Sequence, residues 1–191
     1  MKLRIAVSCL ALIFAIALSP LVASAQDKPA EKATFASVLD HQLTNTEKTV
    51  IPAAEAMPAD KYDFAPTQGD FKGVRTFGLE VKHIAVANYA LGAGILGEKP
   101  PINLTGPDGP PEIKTKADIM KFLNDSSAYA HKALNSITEA NVLEPIKAPF
   151  GNNMTTRLAL ATTIIGHPFD HYGQMVVYLR MNNIIPPASR K

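Results

Sequence analysis

Apolar residues recur at helical spacing in four long segments of the chain, and this pattern constrains the fold more than any other feature of the sequence. The segments cover residues 34–57, 74–96, 116–140 and 155–181. Within each segment, apolar side chains fall three or four residues apart, which places them on one face of an α-helix. No stretch shows a convincing alternation of period two, so we expect no strands. The sequence predicts an all-α architecture, most simply an antiparallel four-helix bundle.

Two prolines lie within the predicted helices. Pro52 is expected to kink the first helix or to end its regular part, because proline lacks an N–H group and its ring clashes with the preceding turn. Pro168 disfavours helical conformation at His167, so the fourth helix is expected to kink there or to restart at Pro168. Residues 97–115 hold five prolines and three glycines and are predicted to form a long loop.

The first 25 residues have the pattern of a secretory signal peptide. Lys2 and Arg4 precede an apolar run, and Ala-Ser-Ala at 23–25 matches a cleavage site. The competing interpretation is an uncleaved membrane anchor, because the run approaches the ~18 apolar residues that a membrane span needs. Pro20 and the cleavage pattern favour removal. The sequence therefore predicts a periplasmic or secreted protein with no stable membrane span after cleavage.

The mature part of the chain is predicted to be one domain. Residues 26–33 are polar and are expected to form a flexible lead-in, and residues 34–191 are numerous enough to bury a core of their own. Cleavage would leave 17 basic residues against 17 acidic ones, a balance that gives no electrostatic support for nucleic-acid binding. Cleavage would also remove Cys9, the one cysteine, and with it any disulfide or protein thiolate.

Two histidines, His167 and His171, lie four residues apart in the fourth segment. On a helix this spacing places their Cβ atoms ~5–6 Å apart on one face, close enough for both imidazoles to bind one metal ion. His83, among apolar neighbours in the second segment, could face them across the bundle and complete a three-imidazole site with an open fourth position. The alternative is a pair of hydrogen-bonded histidines in a bundle without a metal.

Two acidic residues are candidates for a catalytic role beside these histidines. Asp170 could orient a ligand imidazole or act as a base, and the alternative is a solvated helix residue. Glu80, one turn before His83, could contact the metal or its water, and the alternative is an ordinary salt bridge. His41 and His131 fall off the apolar lines of their helices and are predicted to be exposed.

The sequence contains the motifs YDFAP at 62–66, the helix with His83, KTKAD at 114–118, HPFDHYGQ at 167–174, YLR at 178–180 and PP at 186–187. Together these motifs resemble the DinB/YfiT-like family. The resemblance spans about residues 34–189. It implies a four-helix bundle that carries a metal on one histidine of the second helix and an H-x-x-x-H pair of the fourth, which here are His83, His167 and His171. A glycine usual in the family before the paired prolines is replaced by Asn182-Asn183, and asparagine also suits a left-handed helix cap.

The resemblance implies a metal-dependent enzyme. Imidazole ligands suit zinc or nickel, and either ion would activate water or a thiol for hydrolase or S-transferase chemistry on a small-molecule substrate near the 97–115 loop. Some relatives use mycothiol, bacillithiol or glutathione in isomerases or S-transferases, while many have no known reaction. Low-molecular-weight thiols are mainly cytosolic, so export weakens the thiol analogy. Relatives are often dimeric, which implies a homodimer.

Two other classes of function stay open from the sequence. A non-catalytic bundle of the cell envelope would bind a metal or a small molecule, and it predicts coordination closed by a fourth protein ligand such as Glu80 or Asp170. A purely structural bundle would bind no metal, and it predicts that replacing His83 leaves the metal content unchanged.

Overall fold

The computed structural model describes residues 32–67, 69 and 73–191, and four α-helices make up most of this part of the chain. The predicted all-α four-helix bundle is confirmed. The predicted signal peptide at 1–25 and most of the lead-in lie outside the described residues. The helices are α1 (Phe35–Ala56), α2 (Phe77–Leu96), α3 (Lys116–Asn135) and α4 (Arg157–Met181).

A threonine caps the N-terminus of each of these helices. In each case the threonine hydroxyl accepts a hydrogen bond from the backbone N–H three residues later, which satisfies one of the donors that a helix start leaves free. A cap of this kind contributes about 1 kcal/mol to helix stability. The four helix starts are therefore specified locally by the sequence. The capping residues are Thr34, Thr76, Thr115 and Thr156.

Helix α2 packs between α3 and α4, and α1 also packs against both of them. Asn88 donates to Ser126 at 3.2 Å, and a Cβ on Gly78 would meet Ile119 at 3.2 Å, so α2 and α3 run in the same direction. The 97–115 loop is long enough to return the chain to the same end of the bundle, which makes this arrangement feasible.

Contacts at both ends of helix α1 fix its direction against α3. His131 binds Asp40, and the Lys116 ammonium donates to the Glu55 carbonyl at 2.7 Å, so these two helices are antiparallel. Helices α2 and α4 are antiparallel as well, because Glu80 in the first turn of α2 contacts His171 of α4, and Arg157 at the start of α4 donates to the carbonyl of Ile95 near the end of α2 at 3.1 Å. This pairing carries the candidate site.

The core follows helix α2 in two consecutive clusters of buried apolar residues. The first surrounds the N-terminal half of α2 and includes Phe77 and Ile84, and the second surrounds its C-terminal half and includes Leu91 and Ile95. Fully burying a side chain of this size contributes ~1.5–3 kcal/mol. Because α2 is buried on most faces, a polar side chain on it needs a specific partner.

Two features between α3 and α4 differ from the sequence prediction. Helix α3 ends at Asn135 rather than near residue 140, because Asn141 accepts from the Thr138 N–H at 2.8 Å and stabilises a turn there. A short antiparallel hairpin then pairs β1 (Pro145–Lys147) with β2 (Met154–Thr156), although no strand was expected. Strands of three residues are too short to leave a period-two pattern.

Both internal prolines lie within continuous helices. Pro52 does not end α1, and α4 does not restart at Pro168. In the turn before Pro168, the Ile165 carbonyl accepts a hydrogen bond at 3.3 Å from the Thr46 hydroxyl of α1, which satisfies a carbonyl near the missing proline N–H. Within the residues that the structure describes, no helix has the length and apolar character to cross a membrane.

Candidate metal centre

The structure brings His83, His167 and His171 together between α2 and α4. One ring nitrogen from each side chain lies within 4.8 Å of the other two. The ring centroids of His83 lie 5.1 Å from His167 and 4.8 Å from His171, and the two α4 rings are 4.5 Å apart. The helical i, i+4 spacing places the α4 pair on one face despite Pro168, and His83 faces that pair across the bundle as the sequence predicted.

Hydrogen bonds on the outer side of two rings fix which nitrogen carries the proton. His83 Nδ1 lies 2.6 Å from the Pro107 carbonyl oxygen, and His171 Nδ1 lies 2.5 Å from Glu80 Oε2. A carbonyl and a carboxylate only accept hydrogen bonds, so both Nδ1 atoms donate. In the neutral rings each Nε2 then presents a lone pair, which is the form that binds a metal.

The third ring, His167, is placed so that it can share a cation with His171. Its Nε2 lies 3.0 Å from His171 Nε2, and its Nδ1 is buried without a hydrogen-bond partner among the described residues. Because His171 donates through Nδ1, its Nε2 lone pair points toward His167. Nitrogen atoms this close need either a proton or a cation between them. Three imidazoles with converging nitrogens fit a divalent zinc-like or nickel-like ion.

The environment keeps two of the rings neutral. Burial lowers the pKa of His83, with a smaller lowering from the positive charge of Arg75, and the Pro107 carbonyl opposes the shift. Burial, together with His171 and His83, lowers the pKa of His167 to about 4. Protons therefore compete weakly with a metal for these two nitrogens near neutral pH.

Glu80 and Asp170, the two predicted catalytic residues, lie in very different places. Glu80 is 1% exposed and holds the His171 ring through the bond described above. Asp170 is exposed and forms no hydrogen bond to the three histidines in the described part of the chain. The orienting contact considered for Asp170 is thus made by Glu80. Among the described residues, the group close enough to share an ion contains three histidines and no carboxylate.

A cleft of about 580 Å³ opens beside the three histidines, and both His83 and His167 line it. Most of its other lining residues are apolar. Leu104, Gly106 and Pro107 contribute one wall, so the 97–115 loop borders the site as the sequence predicted. The side of the centre that none of the described residues closes can therefore receive a small molecule.

His131 is the polar residue that the sequence analysis placed wrongly. It was predicted to be exposed, as His41 is, but it is half-buried between α3 and α1. Its Nδ1 lies 2.7 Å from Asp40 and its Nε2 lies 3.0 Å from Glu47. Burial alone would lower the pKa of His131, but the hydrogen bonds to Glu47 and Asp40 outweigh burial and raise it. This contact could have been predicted from the seven-residue spacing of Asp40 and Glu47, which places both acids on the same face of α1.

The fold and the site together define a four-helix bundle with a three-histidine candidate metal centre between its second and fourth helices. The chain belongs to the DinB superfamily, whose family model matches residues 42–175. This match confirms the resemblance found in the sequence motifs.

Solved structures of two DinB-like proteins share the fold. The protein from Bacillus cereus is 17% identical, with a TM-score of 0.62 over 78% of this chain and 93% of that chain. The protein YjoA from Bacillus subtilis is 15% identical, with a TM-score of 0.59 over 81% of this chain and 99% of that chain. At these identities the likeness shows the fold alone. No curated protein matches the chain.

Proposed function

We propose that this protein is an exported metal-dependent enzyme that performs hydrolase-type or thiol S-transferase-type chemistry on a small molecule. Its zinc or nickel ion is held by His83, His167 and His171. The observation that carries the proposal is the convergence of three ring nitrogens within 4.8 Å at the end of a cleft, with two of the rings held by outer hydrogen bonds.

At such a site the metal ion and the residues around it would have separate roles. A bound divalent ion lowers the pKa of a water or thiol toward neutrality, or polarises a substrate oxygen. Glu80 holds the His171 ring and adds a buried negative charge beside the three imidazoles. The Pro107 carbonyl holds His83, and the apolar cleft walls bind the body of the substrate and exclude bulk water.

The alternative is a non-catalytic metal-binding or small-molecule-binding bundle of the cell envelope. That alternative predicts a fourth protein ligand, for which Glu80 and Asp170 were the candidates. Glu80 instead binds the outer nitrogen of His171, and Asp170 is exposed. This arrangement favours a centre that is open toward the cleft, which is the arrangement typical of catalytic metal sites.

Elemental analysis of purified protein tests the metal. After loading with zinc or nickel and removal of free ion, we expect about one ion per chain in the wild type. His171→Ala should lose most of it, because two imidazoles bind a divalent ion far more weakly than three. His41→Ala, which removes an exposed histidine, should retain the wild-type content. A wild-type protein without stoichiometric metal, or an unchanged content in His171→Ala, would contradict the proposal.

Export is proposed from the sequence of residues 1–25. Expression of the full chain in a Gram-negative host should yield a periplasmic or secreted protein whose mass corresponds to a start at Gln26. Recovery of the full-length chain from the membrane fraction would instead support an uncleaved anchor.

We also propose a homodimer that uses the outer face of α4. Phe169, Val177 and Met181 lie on one line of this helix and are 46%, 50% and 48% exposed. Light scattering should give twice the chain mass for the wild type, and Val177→Lys should shift it toward the monomer. Leu143→Lys, at a 65% exposed position outside α4, is the matched control and should leave the mass unchanged. A monomeric wild type would refute the dimer.

A further inference from the structure

A second cavity adjoins the cleft beside the three histidines. It has a volume of about 560 Å³ and is lined by the C-terminal half of α2 and by the hairpin loop. Leu104 and Phe150 line both cavities, so these two side chains stand at the junction. A ligand that passes these two side chains would reach from the histidines into the second space.

One face of helix α2 forms the floor of both cavities. His83 and Ala87 line the first, and Ala90, Gly94 and Gly97 line the second. These positions follow one another at helical spacing, and from His83 to Gly97 the helix rises about 21 Å at ~1.5 Å per residue. Ala87, Ala90 and Gly97 bring no large side chain to this line, whereas the position above Gly94 is covered by Leu160 and Pro149, which lie 2.9 Å and 3.3 Å from where a Cβ would stand.

The far end of the cleft carries positive charge. Lys99 and Lys147 line the second cavity, are exposed, and form no ion pair within the described part of the chain. Glu98 lines it too, but its carboxylate already accepts from the Tyr129 hydroxyl at 2.8 Å and pairs with Lys132 at 3.3 Å. The ammonium groups of the two lysines can therefore bind an anionic group of a ligand at the end opposite the histidines.

We infer that the substrate is an elongated, mainly apolar molecule with an anionic group at one end. Its reactive group lies at His83 and His167, its apolar body passes Leu104 and Phe150, and its anionic end lies at Lys99 and Lys147. This inference rests on the proposed function for the direction of the ligand, but the binding of such a molecule can be measured without any reaction.

Straight-chain carboxylates are suitable probes, each compared with the alcohol of equal length. Calorimetry on zinc-loaded protein, below the micelle concentration of each probe, should show one dodecanoate per chain, bound at least tenfold more tightly than hexanoate. Each buried methylene strengthens binding by up to about fourfold, so a long cavity gives a steep dependence on chain length. Decanoate should bind about fivefold more tightly than decanol, because two exposed ion pairs add a modest energy.

Double lysine variants test whether Lys99 and Lys147 bind the anionic end of the ligand. Lys99→Gln/Lys147→Gln should remove the preference for decanoate over decanol and leave decanol affinity unchanged. Lys48→Gln/Lys121→Gln makes the same change of charge at exposed positions that line neither cavity, and it should keep the preference. Equal binding of decanoate and decanol by the wild type, or equal loss in both variants, would overturn the inference.

Two variants test where the apolar part of the ligand binds. Ala90→Phe fills the second cavity and Leu104→Trp narrows the junction, and each should weaken dodecanoate binding about tenfold while zinc content stays at the wild-type level. Because Leu104 belongs to a loop, Leu104→Trp still tests where the apolar part binds if Ala90→Phe does not fold. Unchanged dodecanoate affinity in the folded variants would overturn the inference. Loss of zinc binding with intact dodecanoate binding would instead overturn the proposed metal site and leave the ligand class standing.

Discussion

The contact between Glu80 and His171 is the residue-scale feature on which the candidate centre most depends. A buried carboxylate that accepts from Nδ1 fixes the ring and increases the basicity of Nε2. We expect Glu80→Ala to weaken zinc affinity about 10- to 100-fold, the usual effect of losing such a partner. Glu80→Gln keeps an acceptor and should show a smaller loss. Competition with a chromophoric chelator measures both.

Asp170→Asn is the matched control for this prediction. It removes one carboxylate next to the same histidine, but the side chain is exposed and makes no hydrogen bond to the three rings. Its effect on zinc affinity should stay below about twofold, because an exposed charge is screened by solvent. A larger loss for Asp170→Asn than for Glu80→Ala would show that Asp170, and not Glu80, orients the histidine.

Acidification provides a second test at the residue scale. The pKa of His167 in the folded, metal-free protein is about 4, whereas an unfolded histidine titrates near 6.5. Between these pH values the unfolded chain binds more protons, so His167 lowers stability progressively as the pH falls from about 6.5 toward 4. Urea unfolding of wild type and His167→Gln should therefore show the wild type losing stability relative to the variant over this range. A constant difference would contradict the lowered pKa.

The sequence predicted the three histidines but not all of their partners. The i, i+4 pair and the apolar surroundings of His83 are local patterns, so they can be read without the fold. The contact of Glu80 with His171 depends on how α2 is rotated about its axis relative to α4, which the spacing of residues within one helix does not determine. The Pro107 carbonyl belongs to a loop with no periodic pattern at all.

At the scale of the elements, His131 connects α3 to two acids of α1. Its folded pKa is raised, so its contribution to stability is complete below about pH 6.5 and is lost as the pH rises through the raised pKa. We expect His131→Gln to cost roughly 1–2 kcal/mol at pH 6 and clearly less at pH 9, as measured by urea unfolding. His41→Gln, on the exposed face of α1, should cost little at either pH. A cost for His131→Gln that is independent of pH would contradict the charged contact.

Element boundaries were predictable where a cap marks them and unpredictable where tertiary contacts do. Thr34 and Thr115 begin their helices at the predicted positions, because a threonine hydroxyl satisfies the free N–H groups. The end of α3 depends on the side chain of Asn141, which forms a turn with residues before it. The hairpin and the continuity of α4 through Pro168 also depend on neighbouring elements, and the local rules for strands and prolines predicted neither.

At the scale of the whole molecule, four amphipathic segments were enough to predict a bundle but not the order and direction of its helices. The loop at 97–115 can join neighbours that run in either direction, since loop closure cost rises slowly with length. In the structure α2 and α3 are parallel, and α2 and α4 are antiparallel. This arrangement places His83 opposite the α4 pair and leaves the loop to border the cleft.

X-ray absorption spectroscopy on the zinc-loaded protein examines the three-histidine centre itself, because it counts imidazole ligands and detects a change of ligand. We expect three imidazoles per zinc and a remaining position that a small thiol can occupy, with a zinc–sulfur distance of ~2.3 Å appearing when 2-mercaptoethanol is added. Fewer than three imidazoles, or a closed set of four protein ligands that the thiol does not change, would contradict an open three-histidine centre.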